Sequence, residues 1–278
     1  MLTLRTVADL RKSIDYSKSI AFVPTMGNLH AGHLNLVAKA KLKADCVVAS
    51  IFVNRLQFAP HEDFDSYPRT LDEDVAKLSS VGCDLVFAPS ERELYPVSQT
   101  LKVVPGQDLS EILEGEFRPG FFTGVCTVVL KLFNCVQPDY AFFGKKDYQQ
   151  LMVIKNMVAQ LALPIEIVGV DTKREVDGLA MSSRNGYLSA AQRAEAVHIF
   201  LALCKMREAF KSGQPKDQVE LEAIRYLSTR GWSPDYMSIR LSEDLVASPP
   251  PLYTEGLQFV AIGAAKVGST RLIDNLHF

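Results

Sequence analysis

His30-Ala31-Gly32-His33 puts two imidazoles and a glycine where the strand-like run Ser19-Ile20-Ala21-Phe22-Val23 meets the helix-like run Leu34-Asn35-Leu36-Val37-Ala38-Lys39-Ala40. A helix N-terminus presents unpaired N–H groups and a partial positive charge. Imidazole donors and a residue without a side chain at that point make a seat for a triphosphate. The same string also reads simply as polar residues opening a helix. Just before it, Pro24-Thr25-Met26-Gly27-Asn28 supplies the tight, backbone-exposing turn that a phosphate-approaching loop requires.

Three further strings carry comparable chemistry. Phe52-Val53-Asn54-Arg55-Leu56-Gln57-Phe58 follows a second strand-like run, so Asn54 and Gln57 reach the histidines' crevice if the two strands are neighbours. Neutral amides suit a hydroxylated carboxylate, since they donate and accept without a charge that repels phosphate; the alternative is that one of them caps a loop. Phe143-Gly144-Lys145-Lys146-Asp147-Tyr148-Gln149-Gln150 repeats the order strand, glycine, charge, helix. A lysine there can stabilise transferring phosphoryl oxygens, or the pair can be solvated. Leu179-Ala180-Met181-Ser182-Ser183-Arg184-Asn185 offers hydroxyls, N–H groups and a guanidinium fit for bidentate phosphate contact, or else a capped connection into a helix. Glu111, Glu114 and Glu116 read as an exposed helix face. Glu73 and Asp74 admit a metal reading, but they also suit the first turn of a helix, so no protein-held metal cage is expected and Mg²⁺ should arrive on a nucleotide.

The elements that must position these residues alternate up to about residue 172. Strands are expected over 19–24, 46–53, 84–88, 139–144 and 165–170, with amphipathic stretches between them, the βαβ signature of a parallel sheet covered on both faces. Thr70 and Glu73 have capping-box spacing ahead of a helix closed by Gly82. Asp147 leads into a helix over 150–162 ahead of Pro164. The motifs then fall at strand C-terminal ends, where open α/β sheets bind ligands. After Ser183 the pattern changes. Ser189 to Gln192 is a capping box before a helix ending near Gly213, a second helix runs from about 217 to 231, and strands follow near 236–240, 258–264 and 270–275, the last two joined by a hairpin at Val267-Gly268-Ser269. The expected fold is α/β: a Rossmann-like, doubly wound parallel sheet over residues 1–172 and a smaller C-terminal α+β domain over 173–278, hinged behind residues 173–178 and serving as a lid.

Composition narrows the function classes. The chain has 278 residues, 47% of them hydrophobic and 22% charged, with a formal net charge of −2 and its lysines and arginines dispersed. Dispersed cations leave no electrostatic footprint for nucleic acid. No apolar run approaches the ~18 residues that span a bilayer, and the N-terminus carries no secretory pattern. The 5 cysteines include no C-x-x-C pair and lie mostly in apolar runs, which favours buried thiols and a cytoplasmic location. The first turn also lacks the G-x-G-x-x-G of a nicotinamide dehydrogenase.

Together these strings resemble the pantothenate synthetase (pantoate–β-alanine ligase) family, within the superfamily of H-x-G-H nucleotidyltransferases. The matching segments are 24–33, 52–58, Tyr67-Pro68-Arg69-Thr70, 114–125, 143–151, 177–187 and the ending Arg271-Leu272-Ile273-Asp274-Asn275. The resemblance implies ATP-dependent condensation of pantoate with β-alanine through a pantoyl adenylate, releasing AMP and pyrophosphate, with Mg²⁺ and a homodimeric state. It implies that ATP lies across Met26, Gly27, Asn28, Leu29, His30, Ala31, Gly32, His33, Gly144, Lys145, Lys146, Asp147, Lys173, Met181, Ser182, Ser183 and Arg184. By the same likeness His33 is the proton donor, His30 its partner on the phosphates, Lys146 and Arg184 catalytic cations, and Gln57 and Gln150 the holders of pantoate. Asn54 keeps its place beside Gln57, and Arg118 matches a residue of a mobile wall. Three positions depart from the commoner pattern: Arg55 replaces proline, Phe121 replaces a histidine, and Lys145 replaces an acid and makes the crevice more positive. A nucleotidylyltransferase acting on a phosphorylated small molecule shares the H-x-G-H seat but ignores β-alanine.

Overall fold

A computed structural model of the chain describes residues 1–58, 64–65 and 67–278. They form two compact units, residues 1–145 with 150–171, and residues 146–149 with 172–278. The boundary expected at residue 172 does not anticipate that Lys146–Gln149 belongs with the second unit.

The first unit runs β1 (Leu2–Leu4), α1 (Val7–Ser13), β2 (Ile20–Thr25), α2 (Ala31–Lys41), β3 (Cys46–Ile51), α3 (Leu71–Ser80) and β4 (Leu85–Phe87). Three short helices follow, α4 (Glu91–Leu94), α5 (Gln107–Ser110) and α6 (Glu114–Phe117), then α7 (Phe121–Val136), β5 (Tyr140–Gly144), α8 (Tyr148–Gln160), whose first two residues belong to the second unit, and β6 (Glu166–Val170). The strands make one parallel sheet of 6, ordered β1-β4-β3-β2-β5-β6. Both faces are covered. Ala21 and Val23 of β2 join the cluster around α2 and α3, while Phe22 between them meets Phe133 of α7 edge-on at 6.2 Å. Strands buried on both sides read as continuous apolar runs, which is why they are visible in the sequence.

The order reverses between β2 and β5, the switch point where such sheets open a ligand crevice. β2 pairs with β5 only through Ala21 and Phe22, although both strands continue beyond that point. Pro24 therefore removes no ladder bond on the β5 side.

In the second unit α9 (Ala190–Ala196), α10 (His198–Lys211) and α11 (Lys216–Ser228) precede β7 (Trp232–Leu241), β8 (Phe259–Val267) and β9 (Thr270–His277), an antiparallel sheet. The capping box of α9 forms, Ser189 Oγ accepting from Gln192 N and Gln192 Oε1 accepting from Ser189 N. Gly268, at φ 61°, turns β8 into β9.

Several expectations are corrected. β1 is not foreseen, because it has only 3 residues. Nor is α7, whose β-branched apolar run does not distinguish helix from strand. The helix expected to run on to Gly213 is broken at Val197, between α9 and α10. Thr70 forms no capping box and instead donates its hydroxyl to Asp74 Oδ2 at 3.0 Å. Glu114 is buried in α6, whereas Glu111 and Glu116 are exposed. The backbone folds so tightly there that a Cβ on Gly115 would lie 1.7 Å from the Ser110 carbonyl oxygen.

Candidate active site

The loop leaving β2 takes a left-handed path, with φ 84° at Gly27 and 51° at Asn28. α3 holds it there. Asp74 is fully buried, accepting from Asn28 N through Oδ2 and from Leu29 N through Oδ1, each at 2.8 Å. One turn along, Lys77 Nζ donates to the Leu29 carbonyl at 3.0 Å. A Cβ at Gly27 would sit 3.0 Å from Asp74 Oδ2, so the glycine serves both the turn and the approach of the carboxylate.

The loop delivers His30 as the N-cap of α2. His30 Nδ1 accepts from Gly32 N at 3.1 Å, and His33 Nδ1 accepts from His30 N at 3.3 Å, with the rings 4.1 Å apart. An Nδ1 that accepts a backbone N–H leaves the ring proton on Nε2. The geometry thus assigns both imidazoles the Nε2–H tautomer, so each is a hydrogen-bond donor while uncharged. Ala31 and Gly32 form the first turn behind them.

β3 ends in a tight turn over Arg55–Gln57, and its N-cap Asn54 is 1% exposed. The Asn54 amide is spent within the protein. Nδ2 donates to Gln57 Oε1 and to the Gly124 carbonyl, each at 3.2 Å, and Oδ1 accepts from Tyr95 OH at 2.9 Å. Burial pushes the Tyr95 phenol up to about 12, which keeps that donor protonated. Gln57 in turn points its Nε2 at Met26 Sδ, 3.0 Å away, so the amide and the β2 loop share one crevice, as adjacency of β2 and β3 requires. Gly124 of α7 allows this turn to exist, since a Cβ there would lie 2.1 Å from the Leu56 carbonyl oxygen. Arg118 donates to the Gln57 carbonyl at 3.3 Å and lies 3.7 Å from the ring centroid of Phe121. Phe121 therefore supplies a cation–π face to Arg118. Gln57, Gly124, Arg118 and Phe121, with Lys102 and Thr127, line a cavity of about 300 Å³.

Gly144 ends β5 beside β2, and Gln150 lies in the first turn of α8. Lys145, expected to make the crevice more positive, directs its ammonium to the exposed Asp171, at 2.6 Å from Oδ1. Arg55 likewise engages Glu91, at 3.4 Å, and stacks over Phe64, leaving the Asn54–Gln57 frame in place.

The second unit holds Lys146, Asp147, Lys173, Met181, Ser182, Ser183 and Arg184. Lys146 is half-buried in the turn Lys145–Asp147, and its carbonyl accepts from Asn275 Nδ2 at 2.8 Å. Met181 N donates to the Lys173 carbonyl at 3.0 Å, folding the 173–184 loop back on itself. Ser182 then caps the turn Ser183–Tyr187 by accepting from Arg184 N at 3.3 Å. Asp74, Lys77, Tyr95, Gly124 and Asn275 are missed as site residues in the sequence, and only their partners reveal them. Among the described residues no group of three or more His, Cys, Asp or Glu side chains could hold a metal ion, and no helix is long and apolar enough to cross a membrane.

The chain matches the family model described as pantoate–β-alanine ligase over residues 2–277. It is 57% identical, over 285 aligned residues covering 100% of both chains, to a pantothenate synthetase of Leptothrix cholodnii. The crystal structure of pantoate–β-alanine ligase (pantothenate synthetase) from Thermus thermophilus is similar at TM-score 0.93 and 44% identity, covering 99% of each chain. That of the pantoate–β-alanine ligase from Francisella tularensis, described as complexed with β-γ ATP and β-alanine, is similar at TM-score 0.80 and 33% identity over 99% of this chain and 97% of that one.

Proposed function

The chain belongs to the pantoate–β-alanine ligase family, and we propose that it joins its two substrates by way of a pantoyl adenylate formed from MgATP. In the first step an oxygen of the pantoate carboxylate attacks the α-phosphorus, the bond to the bridging oxygen breaks, and pyrophosphate leaves. In the second the β-alanine amine attacks the acyl carbon, and AMP departs with the bond electrons while the nitrogen sheds a proton. The observation that carries this reading is the pair of Nδ1-capped histidines at the start of α2, at the switch point of the sheet.

Carboxylate and triphosphate repel one another, so the first step needs orientation and donors fixed where charge accumulates on the leaving pyrophosphate. His30 and His33 offer Nε2–H groups beside the N-terminus of α2, and His33 acts as the proton donor in this reading. The loop Met26, Gly27, Asn28, Leu29 runs along the nucleotide, as do Gly144 and Lys145. Lys146, Ser182, Ser183 and Arg184 attend the phosphates, and Asp147, Lys173 and Met181 lie along the nucleotide. Gln57 and Gln150 hold pantoate. Asn54 serves by aiming Gln57, because its own amide is already saturated, and Arg118 braces the Gln57 backbone. Asp74 is occupied by two backbone N–H groups, which supports Mg²⁺ arriving on the triphosphate as part of the substrate.

Incubation with MgATP and pantoate should release pyrophosphate, and AMP and the amide should then appear only when β-alanine is added. A stable nucleotidyl product formed without β-alanine would overturn the reading in favour of a nucleotidylyltransferase. Lys146→Ala should cost roughly 2.7–4 kcal/mol of transition-state stabilisation in adenylate formation.

A further inference from the structure

Asn275 sits in β9 opposite Ile262 of β8 and is 3% exposed. Its side chain leaves the sheet's own bonding and donates to the carbonyl of Lys146 at 2.8 Å. Its backbone is tied just as firmly. The Asn275 carbonyl accepts from Arg174 Nη2 at 2.9 Å, and its N–H donates to Asp274 Oδ1 at 2.7 Å. Arg174 grips Asp274 with both arms, at 2.7 and 3.0 Å, reaches the Gly178 carbonyl at 3.0 Å, and lies 4.0 Å from the centroid of the Phe200 ring.

Two cation-bearing segments thus converge on one point of β9. The turn carrying Lys146 arrives through Asn275. The 173–184 loop arrives through Arg174, which follows Lys173 directly and bridges to Ala180. The ion pair is deeply buried, with side-chain exposure of 19% for Arg174 and 0% for Asp274. Burial pushes the Asp274 carboxyl up while Arg174 draws it back. A buried pair of this kind adds little net stability compared with apolar packing, so what it fixes in place matters more than what it contributes to folding.

We propose that Asn275, itself fixed by the Arg174–Asp274 pair, is a positioning residue that sets the backbone of Lys146 and hence the placement of its ammonium on the triphosphate. The inference rests on the phosphate role proposed above for Lys146. A preorganised charge stabilises a transition state only while its scaffold keeps it in place, and a misplacement of about 1 Å can cost on the order of a hundredfold in rate.

The test is a double-mutant cycle on adenylate formation, read as single-turnover pyrophosphate release from MgATP and pantoate, with melting temperature followed in parallel. Asn275→Ala and Asn275→Leu are each made alone and with Lys146→Ala, the leucine keeping the volume should alanine fail to fold. Each single variant should slow the step roughly ten- to a hundredfold and leave the KM for pantoate unchanged. Neither should slow it further once Lys146 is alanine. A folded variant with an unchanged rate, or one slowed by the same factor with and without Lys146, overturns the inference. Lys146→Ala at full speed instead overturns the role of Lys146, and with it anything Asn275 does through that residue.

Discussion

Asp74→Asn tests whether the β2 loop is held by its neighbour or holds itself. Asp74 faces donors on both sides: Oδ1 accepts from Leu29 N at 2.8 Å, and Oδ2 accepts from Asn28 N at 2.8 Å and Thr70 Oγ1 at 3.0 Å. An asparagine amide turned either way presents its NH₂ group to one backbone N–H. One charge-assisted bond is lost, worth about 1.5–3 kcal/mol, and the remaining contacts fall to neutral strength, roughly half as strong. A destabilisation of about 3 kcal/mol follows, within the ~5–15 kcal/mol by which domains are stable, so the variant folds. Once unclamped, Asn28 can leave its φ of 51°, a conformation that costs about 1 kcal/mol or less in asparagine, which tolerates it better than other side-chain-bearing residues. Restoring it on binding should weaken ATP affinity up to about 5-fold. Simple electrostatics predicts the opposite sign, since removing a carboxylate beside a phosphate loop should tighten the binding of an anion. A metal-ligand role predicts a loss confined to MgATP. Urea unfolding and calorimetry with ATP, with and without Mg²⁺, separate the three. Unchanged stability together with tighter ATP binding would refute the clamp.

Gly124→Ala would set a methyl group 2.1 Å from the Leu56 carbonyl oxygen. Overpacking against backbone costs about 1–3 kcal/mol, and pantoate affinity should fall with the melting temperature as the Gln57 turn is pushed away. Gln57→Ala should weaken pantoate binding more than ATP binding in calorimetry, and equal losses would contradict its assignment. Burial pushes the Cys83 thiol up to about 11 and the Cys126 thiol up to about 12. Thiols whose folded pKa exceeds the unfolded value of about 8.5 contribute stability that is complete below that pH and lost as pH rises through the folded value. The urea midpoint should therefore decline steadily as pH is raised from about 8.5 towards 11, and a flat profile across that window would contradict the burial of these groups.

The residues proposed to meet substrate are legible in the sequence because their chemistry coincides with local punctuation. A glycine, a proline or a histidine pair at the end of an apolar run marks a strand end, and a parallel sheet gathers its strand ends along one edge. The residues that hold them carry no such mark. Asp74 stands in the first turn of α3, where an acid is usual for reasons of dipole alone, and only its complete burial against two N–H groups of a loop 45 residues away shows that it is a clamp. Asn54 shows the converse, its composition suiting substrate while its partners use up the amide. Lys145 likewise offers a cation by type, and its ammonium is directed to Asp171, 26 residues further on. In each case the deciding information is a long-range partner, which local pattern cannot carry. Substitutions at Asp74, Gly124 and Asn275 are consequently the stronger tests of the proposed chemistry, because a site assigned from strand-end motifs alone predicts no effect at any of the three.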